Sequence, residues 1–199
     1  MVIESRFAGS VAVVTGASGG IGSAICARAA AEGANVVAAD RVADLREKVA
    51  EIVGAEAPPW LSVSADLSVS GEADKVMGAA HERFGRIDVL VNNAGGGIIK
   101  PFLTHDERSM RETVDRNLWT VVYCSRAVMP VMIEQRYGRI VNIGADSVRN
   151  GLYEHAMYNA AKGGVHGLTT GLARELAGYE VTVNTVAPTG IVTPFVRSR

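Results

Sequence analysis

The chain has 199 residues, 48% hydrophobic and 21% charged, with a formal net charge of −1; such a length and balance suit a folded α/β domain and exclude a disordered chain. There is no basic run to suggest nucleic acid or an anionic membrane as a partner, and no apolar stretch of the roughly 20 residues that span a bilayer. The first residues, among them Glu4 and Arg6, lack the apolar segment of a secretory signal, and Cys26 and Cys124 fall inside apolar helical patterns, so free buried thiols and a cytoplasmic location are expected.

Short β-branched runs alternate with helical patterns along the chain. Val11–Thr15 reads as a strand, and a glycine-rich turn then leads into a helix over about Ile21–Glu32 that Gly33 closes. A strand over Asn35–Asp40 and a helix over about Ala43–Val53 follow, then a strand over Trp60–Ser64 and a helix over about Gly71–Phe84. Ile87–Val91 is apolar throughout, as in a strand buried on both faces. Thr104-His-Asp-Glu107 reads as a capping box opening the longest helix, whose apolar positions run from Met110 to Met132 with an interruption near Pro130. The pattern ends with a strand over Arg139–Ile143, a loop, a helix opened by Tyr158, and a strand over Val181–Val186. Such alternation predicts βαβ units in one doubly wound, Rossmann-type parallel sheet with helices on both faces, a three-layer α/β/α domain over residues 1–199.

Two groups of residues carry chemistry. Thr15-Gly16-Ala-Ser18-Gly-Gly20-Ile21-Gly22 joins the first strand to the first helix, where glycines admit a pyrophosphate close to the free N–H groups of a helix end. Asp40 ends the second strand eighteen positions after Gly22, a spacing that suits an acid binding a ribose. A carboxylate there accepts from ribose hydroxyls and repels a 2′-phosphate, so NAD is expected over NADP, with Arg41 as the opposing signal. The second group is Tyr158 and Lys162, four residues apart and so on one helix face. An ammonium beside a phenol favours the phenolate, and a tyrosine so tuned can exchange a proton with an alcohol or ketone. His81, His105, His155 and His166 have no metal-ligand spacing, so a zinc-dependent mechanism is not expected.

In this order the chain resembles the short-chain dehydrogenase/reductase family. The likeness is carried by Thr15-Gly16-xxx-Gly20-x-Gly22, Asp66, Asn92-Asn93-Ala94-Gly95, Asn117, Tyr158-xxx-Lys162, and the run from Asn184 through Pro188 and Ile191 to Thr193. The resemblance implies that Tyr158 is the general acid/base, that Lys162 lowers its pKa and holds the nicotinamide ribose, and that Asn117 holds a water in a proton relay. It further implies that Asp66, with Leu67 beside it, binds the adenine, and that Asn93, Ala94 and Gly95 pass the adenosine ribose. Gly16, Ser18, Gly20, Ile21, Gly22, Asp40 and Arg41 would complete the adenosine and pyrophosphate contacts, with Pro188, Ile191 and Thr193 orienting the carboxamide.

Two departures from the family pattern stand out. Its usual serine, thirteen residues before the tyrosine, is Ala145 here, so Ser147 is expected to take that role through a shifted loop. The family also continues into a substrate-covering lobe and a seventh strand, so the chain is expected to be C-terminally truncated and less than fully active by itself.

The implied activity is an NAD(P)-dependent interconversion of a secondary alcohol and a ketone. The run Gly95–Phe102, with Ala160–Gly164, is similar to dihydrodiol dehydrogenases of aromatic-acid degradation, which points to a cis-dihydrodiol or related hydroxy acid. Arg149 and His155, in the loop expected to face the substrate, are candidates for its recognition. The alternatives are a redox-silent dinucleotide-binding sensor and a 3-oxoacyl-thioester reductase. Apolar stripes on the long helix and the Tyr158 helix suggest a homodimer or homotetramer built from helix pairs.

Overall fold

The computed structural model describes residues 5–54 and 57–191. Six parallel strands form one sheet in the order β3-β2-β1-β4-β5-β6, with β1 at Val11–Thr15, β2 at Asn35–Asp40, β3 at Trp60–Ser64, β4 at Val89–Asn92, β5 at Gly138–Ile143 and β6 at Val181–Val186. Helices cover both faces. α1 (Gly20–Ala31) and α2 (Leu45–Val53) pack over Val14, Val36 and Ala38. α3 (Glu72–Phe84), α5 (Thr120–Gln135) and α7 (Ala156–Leu176) pack over Val13, Val37, Leu90, Ile140 and Val183. Alternate residues of one strand thus enter different cores, which is why β1 is apolar up to Val14 and buried along its whole length. Among the described residues no helix is long and apolar enough to cross a membrane.

The structure corrects several expected boundaries. β4 begins at Val89, because the Ile87 N–H and carbonyl are bound by the Gln135 side chain at 2.9 and 2.8 Å and are withheld from strand pairing. Thr104 caps no helix. Its hydroxyl donates to the Pro101 carbonyl at 2.8 Å within a 3₁₀ turn, and α4 (Glu107–Val114) starts instead from a capping box of Asp106 and Ser109. The run expected as the longest helix is divided into α4, a π turn at Asp115–Trp119, and α5, while Pro130 lies inside α5 without ending it; the longest α-helix is α7. α7 begins at Ala156, which leaves Tyr158 in its first turn, and the loop before it contains a short helix, α6, at Ser147–Asn150.

A row of polar side chains runs beneath the C-terminal ends of the central strands. Asn92, Asn142 and Thr185 are paired in register across β4, β5 and β6. Asn92 Nδ2 donates to Asn142 Oδ1 at 2.9 Å and to Ser125 Oγ at 3.2 Å. Asn142 Nδ2 donates to Thr169 Oγ1 at 2.9 Å, and Thr169 shares a 2.8 Å hydrogen bond with Thr185. The row ties α5, through Ser125, and α7, through Thr169, to the sheet through groups that burial obliges to find partners. Asn142→Ala, which strands buried partners, should destabilise the fold by roughly 1–3 kcal/mol, while Thr182→Ala on the exposed face of β6 should change stability by less than about 0.5 kcal/mol. Equal denaturation midpoints for the two variants would refute the role given to the row.

Candidate active site

The site lies where the chain leaves the C-terminal ends of β1 and β4, adjacent strands whose connections turn to opposite faces of the sheet, and such a reversal opens a crevice. After β1 the loop turns at Gly16 with φ +64°. A Cβ on Gly22 would lie 2.1 Å from the Gly16 carbonyl oxygen, so glycine lets the first turn of α1 sit against the loop. Gly19 caps α1 without any side-chain hydrogen bond, leaving the helix end to a ligand. Asp40, at the end of β2, accepts from Ser18 N and Oγ at 3.0 and 2.7 Å and from the Arg41 N–H at 2.7 Å, which fixes the carboxylate beside Gly16–Gly22. An uncapped helix end, a cradle that side chains would fill, and an anchored acid together fit a dinucleotide.

Thr15 fastens the two strands across the crevice. Its Oγ1 accepts from the N–H groups of Asn93 and Ala94, both at 2.9 Å, and Asn93 Nδ2 donates back to the carbonyls of Thr15 and Gly16 at 3.0 and 3.1 Å. The Asn93 side chain is therefore engaged in this closure.

The chain then crosses Asn117 and Tyr158, two of the candidate proton-transfer residues, as Gly95-Gly96-Gly97. Asn117, fully buried in the π turn, accepts from Gly96 N at 3.1 Å and donates to the carbonyls of Gly96 at 3.1 Å and Thr113 at 2.8 Å. One lone pair of its Oδ1 remains for a water. The π turn inserts a residue into the helix and thereby re-aims this side chain. Lys162 is 4% exposed; its Nζ donates to the Ile143 carbonyl at 2.7 Å and lies 5.9 Å from the Tyr158 ring centroid. Burial pushes the Lys162 ammonium down to about 8 and raises the Tyr158 phenol above its usual value. The expected lowering of the Tyr158 pKa is thus not what this chain shows on its own: loss of solvent around the ring dominates. His155 packs edge-on against Tyr158, with centroids 5.9 Å apart, and shares a 2.6 Å hydrogen bond between its Nδ1 and the Tyr153 carbonyl.

At the far end of the crevice, Asp66 accepts from Ser68 N and Oγ at 3.1 and 2.6 Å. These bonds, with Arg41 and Arg116 nearby, hold its carboxyl below the usual range. Asp66, Arg41 and Arg116 line one cleft. Leu67 turns its side chain into the core with α3 and has only main-chain atoms to offer a ligand. The Pro188 carbonyl accepts from Asp146 N at 3.0 Å, joining the chain after β6 to the turn after β5. Ile21 and Ile191 line an apolar groove beside α1 together with Ala24. Thr193 lies outside the described residues.

Ala145 is buried, and the Ser147 hydroxyl, also buried, donates to Asn159 Oδ1 at 2.6 Å. The hydrogen bonds of Asp146 come from Arg149 and Asn150, both at 2.9 Å, so Arg149 is paired within its own short helix. Sequence reading missed Asn159 as the partner of Ser147, Ile143 as that of Lys162, and Gly96 as that of Asn117. The last left a trace in the run of glycines after Ala94, whereas main-chain partners distant in sequence leave none.

Residues 10–199 match the family described as short chain dehydrogenase. A 2,3-dihydroxy-2,3-dihydro-p-cumate dehydrogenase of Pseudomonas putida is 53% identical over 186 residues, which cover 93% of this chain and 72% of that protein. A 1,6-dihydroxycyclohexa-2,4-diene-1-carboxylate dehydrogenase, also from Pseudomonas putida, is 43% identical over 94% of this chain and 69% of its own. Levodione reductase superposes with a TM-score of 0.92 at 33% identity, covering 97% of this chain and 76% of that one.

Lys162 also leaves a mark on stability. Its folded pKa of about 8 lies below the usual 10.5, so between these values the unfolded chain binds more protons and the contribution of this group to stability rises with pH. Lys162→Met should abolish that rise in melting temperature between pH 8 and 10 relative to the parent chain. Parallel melting curves across that window would show that the ammonium is solvated and the burial argument is wrong.

Proposed function

The chain belongs to the short chain dehydrogenase family, and from that premise we propose that it oxidises a cis-dihydrodiol of an aromatic carboxylate to a hydroxyketone with NAD. The observation that carries the substrate class is the identity to two dehydrogenases whose names describe ring diols with hydroxyls on adjacent carbons of an acid anion. The family and these relatives make it an NAD(P)-dependent oxidoreductase acting on CH–OH groups.

Tyr158 is the general base for oxidation, its phenolate taking the hydroxyl proton of the substrate and returning a proton in reduction. Lys162, its Nζ 5.9 Å from the Tyr158 ring centroid and fixed on the Ile143 carbonyl, stabilises the phenolate once its ammonium is retained, and its remaining N–H bonds suit a ribose. Asn117, fastened to Gly96, presents its free lone pair to a relay water. A bound NAD would supply the hydride acceptor for the carbinol carbon and a positive charge that favours the phenolate. Ser18 and Gly16–Gly22 receive the pyrophosphate side, Asp66 with the Leu67 main chain the adenine, and Pro188, Ile191 and Thr193 the carboxamide. Ser147 contacts the substrate oxygen by exchanging its bond to Asn159, a role that Ser147→Ala tests through kcat.

Asp40 supports NAD over NADP. Its carboxylate is anchored and keeps lone-pair capacity for a ribose hydroxyl, and its charge opposes a 2′-phosphate, whereas Arg41 is exposed. The partially exposed Trp119, stacked on Tyr123 at 5.3 Å, supports a homo-oligomer joined along α5. Buried Cys26 and Cys124, whose thiols burial pushes up to about 12, suit a reducing, cytoplasmic setting. The chain acts as one dinucleotide-binding domain.

Steady-state rates with dihydrodiol carboxylates and each cofactor test this reading. NAD should exceed NADP in kcat/KM by at least about tenfold, and Asp40→Asn should narrow the ratio. Tyr158→Phe should lower kcat by at least about 100-fold while cofactor binding is retained. Full turnover by Tyr158→Phe, or no turnover of any dihydrodiol by the parent protein, would sink the assignment.

A further inference from the structure

Three consecutive glycines, Gly95-Gly96-Gly97, cross the residues read as the proton-transfer group. None of them has a left-handed φ, so conformation does not require glycine at these positions. Space does, at two of them. A Cβ on Gly95 would meet Asn117 Oδ1 at 2.8 Å, and one on Gly97 would meet Tyr158 Cδ2 at 2.7 Å, Tyr158 Cγ at 3.2 Å and Ile99 Cδ1 at 2.8 Å. Around Gly96 a Cβ would find nothing within 4 Å. The Gly97 main chain, the Ile99 δ-methyl and one edge of the Tyr158 ring therefore converge on one point, and no side chain fits between them.

We propose that Gly97 is a positioning residue for Tyr158: lacking a side chain, it lets the main chain after β4 press on the ring and, with Ile99, fixes the direction in which the phenol presents its oxygen. The phenol is half-buried in the first turn of α7, and no hydrogen bond holds its oxygen among the described residues. His155 packs edge-on against the ring, and the Gly97 main chain lies against its Cδ2 edge, with the Ile99 δ-methyl closing the space beside Gly97. Proton transfer needs the oxygen within hydrogen-bond reach of the substrate hydroxyl, and misplacement by about 1 Å can lower a rate roughly 100-fold. The contact also couples the two ends of the site. Gly96 holds Asn117 by two hydrogen bonds and Gly97 touches Tyr158, so one short segment sets both residues.

This inference rests on the reading of Tyr158 as the acid–base group, and its test includes a readout that needs no turnover. The purified protein with NAD is compared with Gly97→Ala, Ile99→Ala and the double variant. The measurements are kcat and KM for a dihydrodiol carboxylate, the NAD dissociation constant by fluorescence, and the alkaline absorbance titration of tyrosine with the Tyr158→Phe trace subtracted. Gly97→Ala is expected to lower kcat by roughly 10- to 100-fold, with NAD affinity within about twofold, and to move the Tyr158 titration midpoint by about half a pH unit or more. Ile99→Ala, at a partly exposed position that leaves the fold intact, should move the same midpoint by less. The double variant, in which the segment can retreat from the ring, should recover at least about threefold of the lost kcat. Wild-type kcat and titration in Gly97→Ala would overturn the proposal. So would a loss shared equally by kcat, NAD affinity and melting temperature with the Tyr158 midpoint unmoved, since that marks a general packing role. If the parent protein turns over no dihydrodiol, the functional reading fails, while the titration still decides whether Gly97 positions the ring.

Discussion

Everything in the site depends on the closure of the crevice between β1 and β4. Thr15 accepts hydrogen bonds from two successive N–H groups beyond β4, and Asn93 returns two more to the loop beyond β1. Without that closure the Gly16–Gly22 turn and the glycine tract would diverge, because the strands that carry them send their connections to opposite faces of the sheet. Closed, it places Gly16 against Ala94, with so little room that a Cβ on Gly16 would lie 2.9 Å from the Ala94 Cα. The glycine turn after β1 and the tract that crosses Asn117 and Tyr158 are thereby held in one frame.

Electrostatics in that frame are governed by burial. Lys162 is enclosed, and its one hydrogen bond among the described residues goes to a neutral carbonyl, so its charge is costly until an anion or a ligand oxygen shares it. Tyr158 is raised by the same exclusion of water. In a folded chain by itself burial thus penalises the charged form of both groups, the ammonium of Lys162 and the phenolate of Tyr158. The opposite arrangement, ammonium beside phenolate, would gain its stabilisation from the pair and, under the proposed function, from the positive ring of a bound nicotinamide, which would link proton transfer to cofactor binding.

The glycines divide by physical cause. Gly16 and Gly33 adopt positive φ, which a side chain would strain. Gly22, Gly95 and Gly97 are there because other atoms occupy the space of a Cβ. Positive φ shapes a turn, at Gly16 together with crowding against Ala94, while crowding alone brings main chain against main chain at Gly22 and against the side chains of Asn117 and Tyr158 at Gly95 and Gly97. The polar row Asn92–Asn142–Thr169–Thr185 supplies the rigidity such close contacts require, tying β5, and with it the carbonyl that holds Lys162, to the helix on which Lys162 stands.

Several features were legible in the sequence because their signals are local. Val11–Thr15, Asn35–Asp40, Trp60–Ser64 and Val181–Val186 form strands as expected, since apolar β-branched runs bounded by turns have few alternatives. Alternation with helices determined the parallel sheet, and residues four apart on one helix determined that Tyr158 and Lys162 share a face. Only the tertiary structure decided what those residues touch. The start of β4 depended on Gln135, remote in sequence, and the long helix acquired a π turn where Asn117 meets Gly96. Ser147 found Asn159 through the short helix α6. Burial, too, is a property of the assembled layers, so the sign of the shift at Tyr158 followed from packing: the sequence determined which groups could exchange a proton, and the enclosing fold decided how much water, and which neighbours, each retained.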